Sequence, residues 1–325
     1  MKILQNGTVL YDTNHNPIHA HGGCMLFFDG FYYWYGEDRR DDTYVACYRS
    51  KDLENWEARG AVLTVNSPVS PLSFPTDLSL GTAEQKVNIE RPKVIYCEKT
   101  GKFVMWAHYE NGVDYSCAAA AIATCDTPDG VFTYHGSFNP FGEMSRDCTL
   151  YNEEGIWYFI SAANENEDLH IYRLTPDCLN VEKHEKTLFA GLLREAPAFC
   201  RKNGKTFLLT SYCTGWKPNQ GMYAVADSIC GEWSDLRPFG DAFTYRSQPA
   251  FLLTLPINGE TQYIYVGDRW GGSDWEFEKD SNYCESFEYM KSTYYFAPLK
   301  IEGDTVTMNP CDAYTLTVKN GIQVK

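Results

Sequence analysis

Short apolar strands separated by glycine or polar turns run the length of the chain, and they recur in a fixed order. Each unit opens with an apolar strand, turns, and continues with an aromatic-rich strand. The first unit reads Cys24-Met25-Leu26-Phe27-Phe28, the turn Asp29-Gly30, then Phe31-Tyr32-Tyr33-Trp34-Tyr35. The second pairs Lys93–Tyr96 with Phe103–Trp106, the third Cys148–Tyr151 with Ile156–Ile160, the fourth Ala198–Cys200 with Thr206–Thr210, and the fifth Ala250–Leu253 with Tyr263–Val266. A further strand pair is expected in each unit, as in Tyr44–Tyr48 before Asp52–Trp56, or Met222–Val225 before Gly231–Trp233. Four strands per unit make a propeller blade.

The matching positions Glu90, Asp147, Glu195 and Gln248 recur at intervals of about fifty residues, as blades do. The pattern therefore predicts an all-β, five-bladed β-propeller filling residues 1–325 as a single catalytic domain. The last ~25 residues, Ile301 to Val324, supply a closing strand or two. The Pro- and Ser-rich stretch Ser67–Gln85 reads as a loop over one face. Long amphipathic patterns are lacking, which disfavours α/β architectures.

Composition sharpens this picture. The 23 Tyr, 18 Phe and 8 Trp favour strands and a surface on which sugars stack. A formal net charge of −15 repels phosphate backbones and polyanionic glycans, so nucleic acid is excluded as a partner and a neutral oligo- or polysaccharide is expected. The apolar run Tyr115–Cys125 is too short to span a bilayer. The 12 cysteines form no C-x-x-C pair and no Cys/His cluster, so no zinc or redox motif is indicated, and most read as small reduced core residues. Together with a polar N-terminus lacking the apolar core of a secretory signal, they imply a cytoplasmic address, although a secreted chain trimmed of its leader would carry the same sequence.

The first strands of a propeller begin around a common axis, and polar residues stand at those beginnings: Glu90 in Ile89-Glu90-Arg91-Pro92, Asp147 in Ser145-Arg146-Asp147, Glu195 in Arg194-Glu195-Ala196-Pro197, and Gln248 in Ser247-Gln248-Pro249. Blade one brings His19 and His21 with Gly22-Gly23, and Glu37 ends its second strand. Acids gathered in one pocket push each other's pKa up. Glycoside hydrolysis needs one protonated carboxyl to donate to the leaving oxygen and a second group to direct water or attack the sugar. Salt bridges to Arg91, Arg146 and Arg194 are the structural alternative for these acids. Trp216 lies in the loop Cys213–Asn219, where an indole can stack on a pyranose or simply pack.

These motifs, with Tyr33-Trp34-Tyr35-Gly36-Glu37-Asp38, Val104-Met105-Trp106, Gly136-Ser137-Phe138, Thr214–Asn219 and Gly267-Asp268-Arg269-Trp270, resemble glycoside hydrolase family 43 and within it the exo-β-1,3-galactanases. The resemblance runs from Ala20 to about Leu299. It implies an inverting enzyme releasing terminal galactose from β-1,3-galactan, with Glu195 as general acid and Asp147 orienting it and tuning its pKa. The family's usual base, an Asp at the start of blade one, is replaced here by His19-Ala20-His21-Gly22. By the resemblance Gln248 handles the water and Glu90 contacts the sugar, with Glu90 the rival candidate for base; an amide is a very weak base, so that choice stays open. Glu37, Tyr115, Asn164 and Trp216 would bind the terminal sugar. No cofactor is expected beyond a structural calcium, for which His21 is the candidate ligand. The competing readings are a β-xylosidase or α-L-arabinofuranosidase of the same family, and a non-catalytic glycan-binding propeller.

Overall fold

The computed structural model describes residues 2–325, whose named strands form antiparallel sheets, with three single-turn 3₁₀ segments. In chain order the strands are β1 (Leu4–Gln5), β2 (His21–Phe28), β3 (Phe31–Glu37), β4 (Thr43–Ser50), β5 (Glu57–Thr64), β6 (Asn88–Cys97), β7 (Lys102–Glu110), β8 (Ala119–Cys125), β9 (Thr133–Phe138), β10 (Cys148–Glu153), β11 (Ile156–Ala163) and β12 (Asp168–Leu174). They continue with β13 (Val181–Leu188), β14 (Arg194–Lys202), β15 (Lys205–Tyr212), β16 (Met222–Ala226), β17 (Arg237–Pro238), β18 (Gln248–Ile257), β19 (Glu260–Arg269), β20 (Thr293–Glu302), β21 (Thr305–Met308), β22 (Ala313–Thr317) and β23 (Gly321–Val324).

The expectation of five blades is corrected: the strands form six sheets. Five are four-stranded meanders, β2 to β5, β6 to β9, β10 to β13, β14 to β17 and β18 to β21, and the sixth is three-stranded, in the order β1-β22-β23. Its physical basis lies in two side-chain amides. Asn6 donates to the Phe296 and Cys311 carbonyls at 2.8 and 2.6 Å and accepts the Phe296 N–H at 2.8 Å. Gln262 donates to the Ile322 carbonyl at 3.0 Å and accepts its N–H at 2.8 Å. Each amide satisfies main-chain groups that a ladder would otherwise pair, so the terminal strands seat as a sheet of their own.

Two fourth strands also differ from expectation. Asp52–Trp56 is a turn, not a strand, because Asp52 Oδ1 accepts the N–H groups of Glu54 and Asn55 at 2.8 and 2.7 Å. The strand begins afterwards, at Glu57. Gly231–Trp233 is likewise outside the sheet, whose fourth strand is the two-residue β17. The stretch 67–85 bridges to the β9 edge at Val69↔Tyr134 and Asp77↔Ser137. It thereby covers an edge that would otherwise present unpaired groups.

By contacts the chain divides into two compact units. One comprises His19–Arg49 and Glu57–Pro197; the other comprises the segment ending at Ile18, Ser50–Trp56 and Ala198–Lys325. In the first unit, β3 is buried almost throughout, and its Tyr33 and Tyr35 pack with Val45, Val62, Val94, Phe103 and Met105. Trp106 is fully buried, lies 4.5 Å from the Phe159 ring, and donates its indole N–H to the Cys178 carbonyl at 2.9 Å. In the second unit, the Tyr245 and Tyr295 rings stack at 5.7 Å and the Phe296 and Tyr314 rings at 5.4 Å. All twelve cysteines are free thiols; six are buried and Cys230 is exposed. Among the described residues no helix is long and apolar enough to cross a membrane.

Candidate active site

Backbone kinks aim the polar residues at the strand beginnings. Arg91, after Glu90, has φ 52°, and Ala196, after Glu195, has φ 54°; each precedes a proline. Proline has no N–H for the ladder, so pairing is already interrupted there, and β6 shows the resulting register shift between Glu90 and Lys93. In blade one Gly22, at φ 58°, takes the same role between His21 and Cys24. Gly36 lets the neighbouring strand approach, since a Cβ there would lie 2.0 Å from the Ala20 carbonyl carbon. The result is a set of buried acids: Glu37 is 3% exposed and Glu90 and Glu195 8% each, while Asp147 is half-buried.

Within the first unit these acids are interlinked. Arg39 Nη2 donates to Glu90 Oε1 at 2.8 Å and to Glu37 Oε2 at 3.1 Å. The Tyr115 hydroxyl donates to the same Glu90 oxygen at 3.0 Å. Arg91 donates its backbone N–H to Glu37 Oε1 at 3.1 Å and its guanidinium to Asp147 Oδ2 at 3.0 Å. That Asp147 oxygen also accepts the N–H of Ala196, at 3.1 Å, which ties it to the residue following Glu195. Of the arginines adjacent in sequence, Arg91 reaches Asp147, and Arg146 bonds Glu165 and donates to the Tyr115 carbonyl at 3.1 Å.

Two residues of this group carried no signal in the sequence reading. His108 and Glu110 lie two apart on β7 and so share a face, and the register places His108 directly opposite Glu90. His108 Nε2 is 2.8 Å from Glu110 Oε1, and its Nδ1 is 3.4 Å from Glu90 Oε2, an ion-pair rather than a hydrogen-bond approach. Glu110 is fully buried and its second oxygen accepts the Ala118 N–H at 2.9 Å. The alternation of polar residues at 108 and 110 in a strand, facing Glu90 across the ladder, is the pattern that reveals them.

Electrostatics separates the acids. Burial pushes the Glu37 carboxyl up, with Arg39 opposing and Glu90 reinforcing. Burial also pushes Glu90 up, but His108, Arg39 and Tyr115 outweigh it and bring it down to about 2. For His108, burial pushes down, and Glu110 and Glu90 reverse this and raise it to about 9. Burial and the neighbouring His21 lower His19 to about 4.

The remaining candidates have other settings. Asn164, at φ 49°, is exposed and turns its amide to Asp168 and Glu167 of its own turn, at 3.4 and 3.5 Å. In the second unit, Gln248 is held at both ends of its amide: Trp270 donates its indole N–H to Oε1 at 2.8 Å, and Nε2 donates to Ser211 Oγ at 3.0 Å. An indole N–H only donates, so it fixes which end of the amide faces it. Trp216 is half-buried and stacks on Phe287 at 4.7 Å, with the Trp270 ring edge-on at 5.0 Å, so part of its surface is packing.

Among the described residues, the one group with ligand atoms close enough for a metal is Glu90, His108 and Asp147, within 4.8 Å of one another. It does not suit a metal. A ligating imidazole needs a free lone pair, whereas both His108 nitrogens face carboxylates, and Glu90 and Asp147 already carry guanidinium partners in Arg39 and Arg91. Calcium takes six to eight oxygens. Opposite His21 across the ladder stands Glu37, whose oxygens are engaged by Arg39 and the Arg91 N–H.

Several solved structures are similar to this chain in fold. An exo-β-1,3-galactanase from Clostridium thermocellum is 42% identical, with a TM-score of 0.86, over 99% of this chain and 68% of that one. An exo-β-1,3-galactanase from Phanerochaete chrysosporium, solved with β-1,3-galactotriose, is 30% identical, with a TM-score of 0.83, over 100% of this chain and 71% of that one. A β-1,3-galactosidase is 32% identical, with a TM-score of 0.83, over 97% of this chain and 63% of that one. A search of curated proteins found no match. Residues 24–239 match the family described as Glycosyl hydrolases family 43. With two thirds of its length matched by that family and its buried acids standing at the strand beginnings, the chain belongs to glycosyl hydrolases family 43.

Proposed function

We propose that this glycoside hydrolase is an exo-acting, inverting β-1,3-galactanase that releases terminal galactose from β-1,3-galactan or its oligosaccharides, with Glu195 as general acid. The observation that carries the reading is the Asp147 tether: one carboxylate oxygen receives both the Ala196 N–H and the Arg91 guanidinium. It fixes the backbone that bears Glu195, which orients an acid. The solved galactanases and galactosidase similar to the chain support the substrate.

Glu90 takes the part of a fixed anion gripping sugar hydroxyls. Its Oε1 already receives both Arg39 and Tyr115, and with a pKa of about 2 it has little affinity for a proton from water. Gln248, oriented by Trp270 and Ser211, is the residue that holds the water. Glu37, Tyr115, Asn164 and Trp216 complete the sugar contacts. Twelve free thiols suit a cytoplasmic enzyme that works on oligosaccharides.

The test is Glu195→Gln. Turnover of β-1,3-galactobiose should fall by about 10²-fold or more while galactose affinity by calorimetry is preserved. Unchanged turnover would remove Glu195 from the acid's role. Cleavage of xylosides or arabinofuranosides in place of galactosides would move the substrate.

A further inference from the structure

Four carboxylates, Glu37, Glu90, Glu110 and Asp147, meet two guanidiniums, Arg39 and Arg91, within one buried group. The two guanidiniums, with the buried Lys93 ammonium near Asp147, still leave carboxylate charge uncompensated in a low-dielectric setting, which is costly. The side chain placed to compensate it is His108, 2% exposed, whose ring stands between Glu110 and Glu90. Glu110 is fixed in turn, since its other oxygen holds the Ala118 N–H. The order along this line is Ala118 N–H, Glu110, His108, Glu90, then the Tyr115 hydroxyl and Arg39.

We infer that His108 is a positioning residue: as a buried imidazolium held by Glu110, it fixes Glu90 as an anion, and loss of its proton at high pH loosens the grip on the terminal sugar. The inference rests on Glu90 being a sugar contact. Tyr115 donates to the other oxygen of Glu90, with its ring 6.0 Å from that of His108, so a displaced Glu90 also releases this half-exposed tyrosine. The groups facing His108 are Glu110 from its own strand, Glu90 from β6, the Tyr115 ring, and Asp147, whose charge is shared with Arg91. The carboxylates favour the proton on the ring.

The experiment combines the ¹⁵N shifts of the His108 ring with steady-state kinetics on β-1,3-galactobiose, in the wild type, Glu110→Gln and His108→Gln. In the wild type both ring nitrogens remain protonated at pH 7.5. In Glu110→Gln the ring titrates near neutrality, KM at pH 8 rises about tenfold with kcat changed less than about threefold, and KM at pH 5.5 is unchanged. In His108→Gln the rise in KM is present at both pH values. A neutral His108 at pH 7.5 in the wild type overturns the inference, as does a KM for Glu110→Gln that rises equally at both pH values. The ring shifts need no turnover, so a charged His108 in a protein that leaves galactosides intact would count against the galactanase reading alone.

Discussion

Glu37 and Glu90 share Arg39 yet are driven in opposite directions: burial dominates at Glu37, and the cations and hydroxyl around Glu90 prevail over its burial. This has a signature in stability. Glu90, lowered from 4.5 to about 2, contributes stability that is present above 4.5 and lost as pH falls through 2. His108, raised from 6.5 to about 9, contributes stability that is complete below 6.5 and lost as pH rises through 9. Both contributions are whole between 4.5 and 6.5, whereas His19, lowered from 6.5 to about 4, takes stability away as pH falls across that window, so the urea midpoint should be highest near 6.5 and decline on both sides. A midpoint still climbing above pH 7 would contradict the charged His108. The role given to Glu90 is checked by Glu90→Ala with azide. As a sugar contact, it should lose about 10²-fold in kcat/KM without rescue, whereas recovery with formation of α-galactosyl azide would make it the base. Of these residues, Glu90 was legible in the sequence because it stands at the beginning of a first strand, and Glu37 because it ends a second. His108 and Glu110 were not, since only the register of β6 against β7 brings them to Glu90.

At the scale of elements, the site depends on kinks in β6 and β14 that no regular strand would hold. Ala196 sits at φ 54° with its N–H committed to Asp147. Replacing it by glycine should leave stability within about 1 kcal/mol, because glycine adopts this conformation freely. Ala196→Val should lower stability by about 2 kcal/mol and depress kcat more than it affects KM, as a β-branched residue resists positive φ and displaces Glu195. Equal kcat for the two variants would show that the kink does not position the acid. Strand pairs were readable from apolar runs flanking Gly-containing turns, but the fourth strands were misplaced. Asp52–Trp56 has the composition of a strand end, yet Asp52 captures the N–H groups of Glu54 and Asn55 and closes a turn. A side chain competing for backbone donors leaves no mark in hydrophobic periodicity.

Over the whole molecule, the five repeated units correspond to the five four-stranded sheets, and the blade count failed on the sixth sheet. That sheet is no repeat: it joins Leu4–Gln5 to Ala313–Thr317 and Gly321–Val324, and its attachment relies on the amides of Asn6 and Gln262. Periodicity cannot disclose a sheet assembled from the two extremes of a chain. The acidic balance, −15 over 325 residues, does remain informative at this scale, since it disfavours polyanionic glycans and leaves neutral ones. The central claim is that this family 43 enzyme removes terminal galactose with inversion, and the most direct test is to follow the hydrolysis of β-1,3-galactotriose by proton NMR from the first minutes. α-Galactose should appear first, with β-1,3-galactobiose as the accompanying product. Initial β-galactose, or cleavage confined to xylosides or arabinofuranosides, would contradict it.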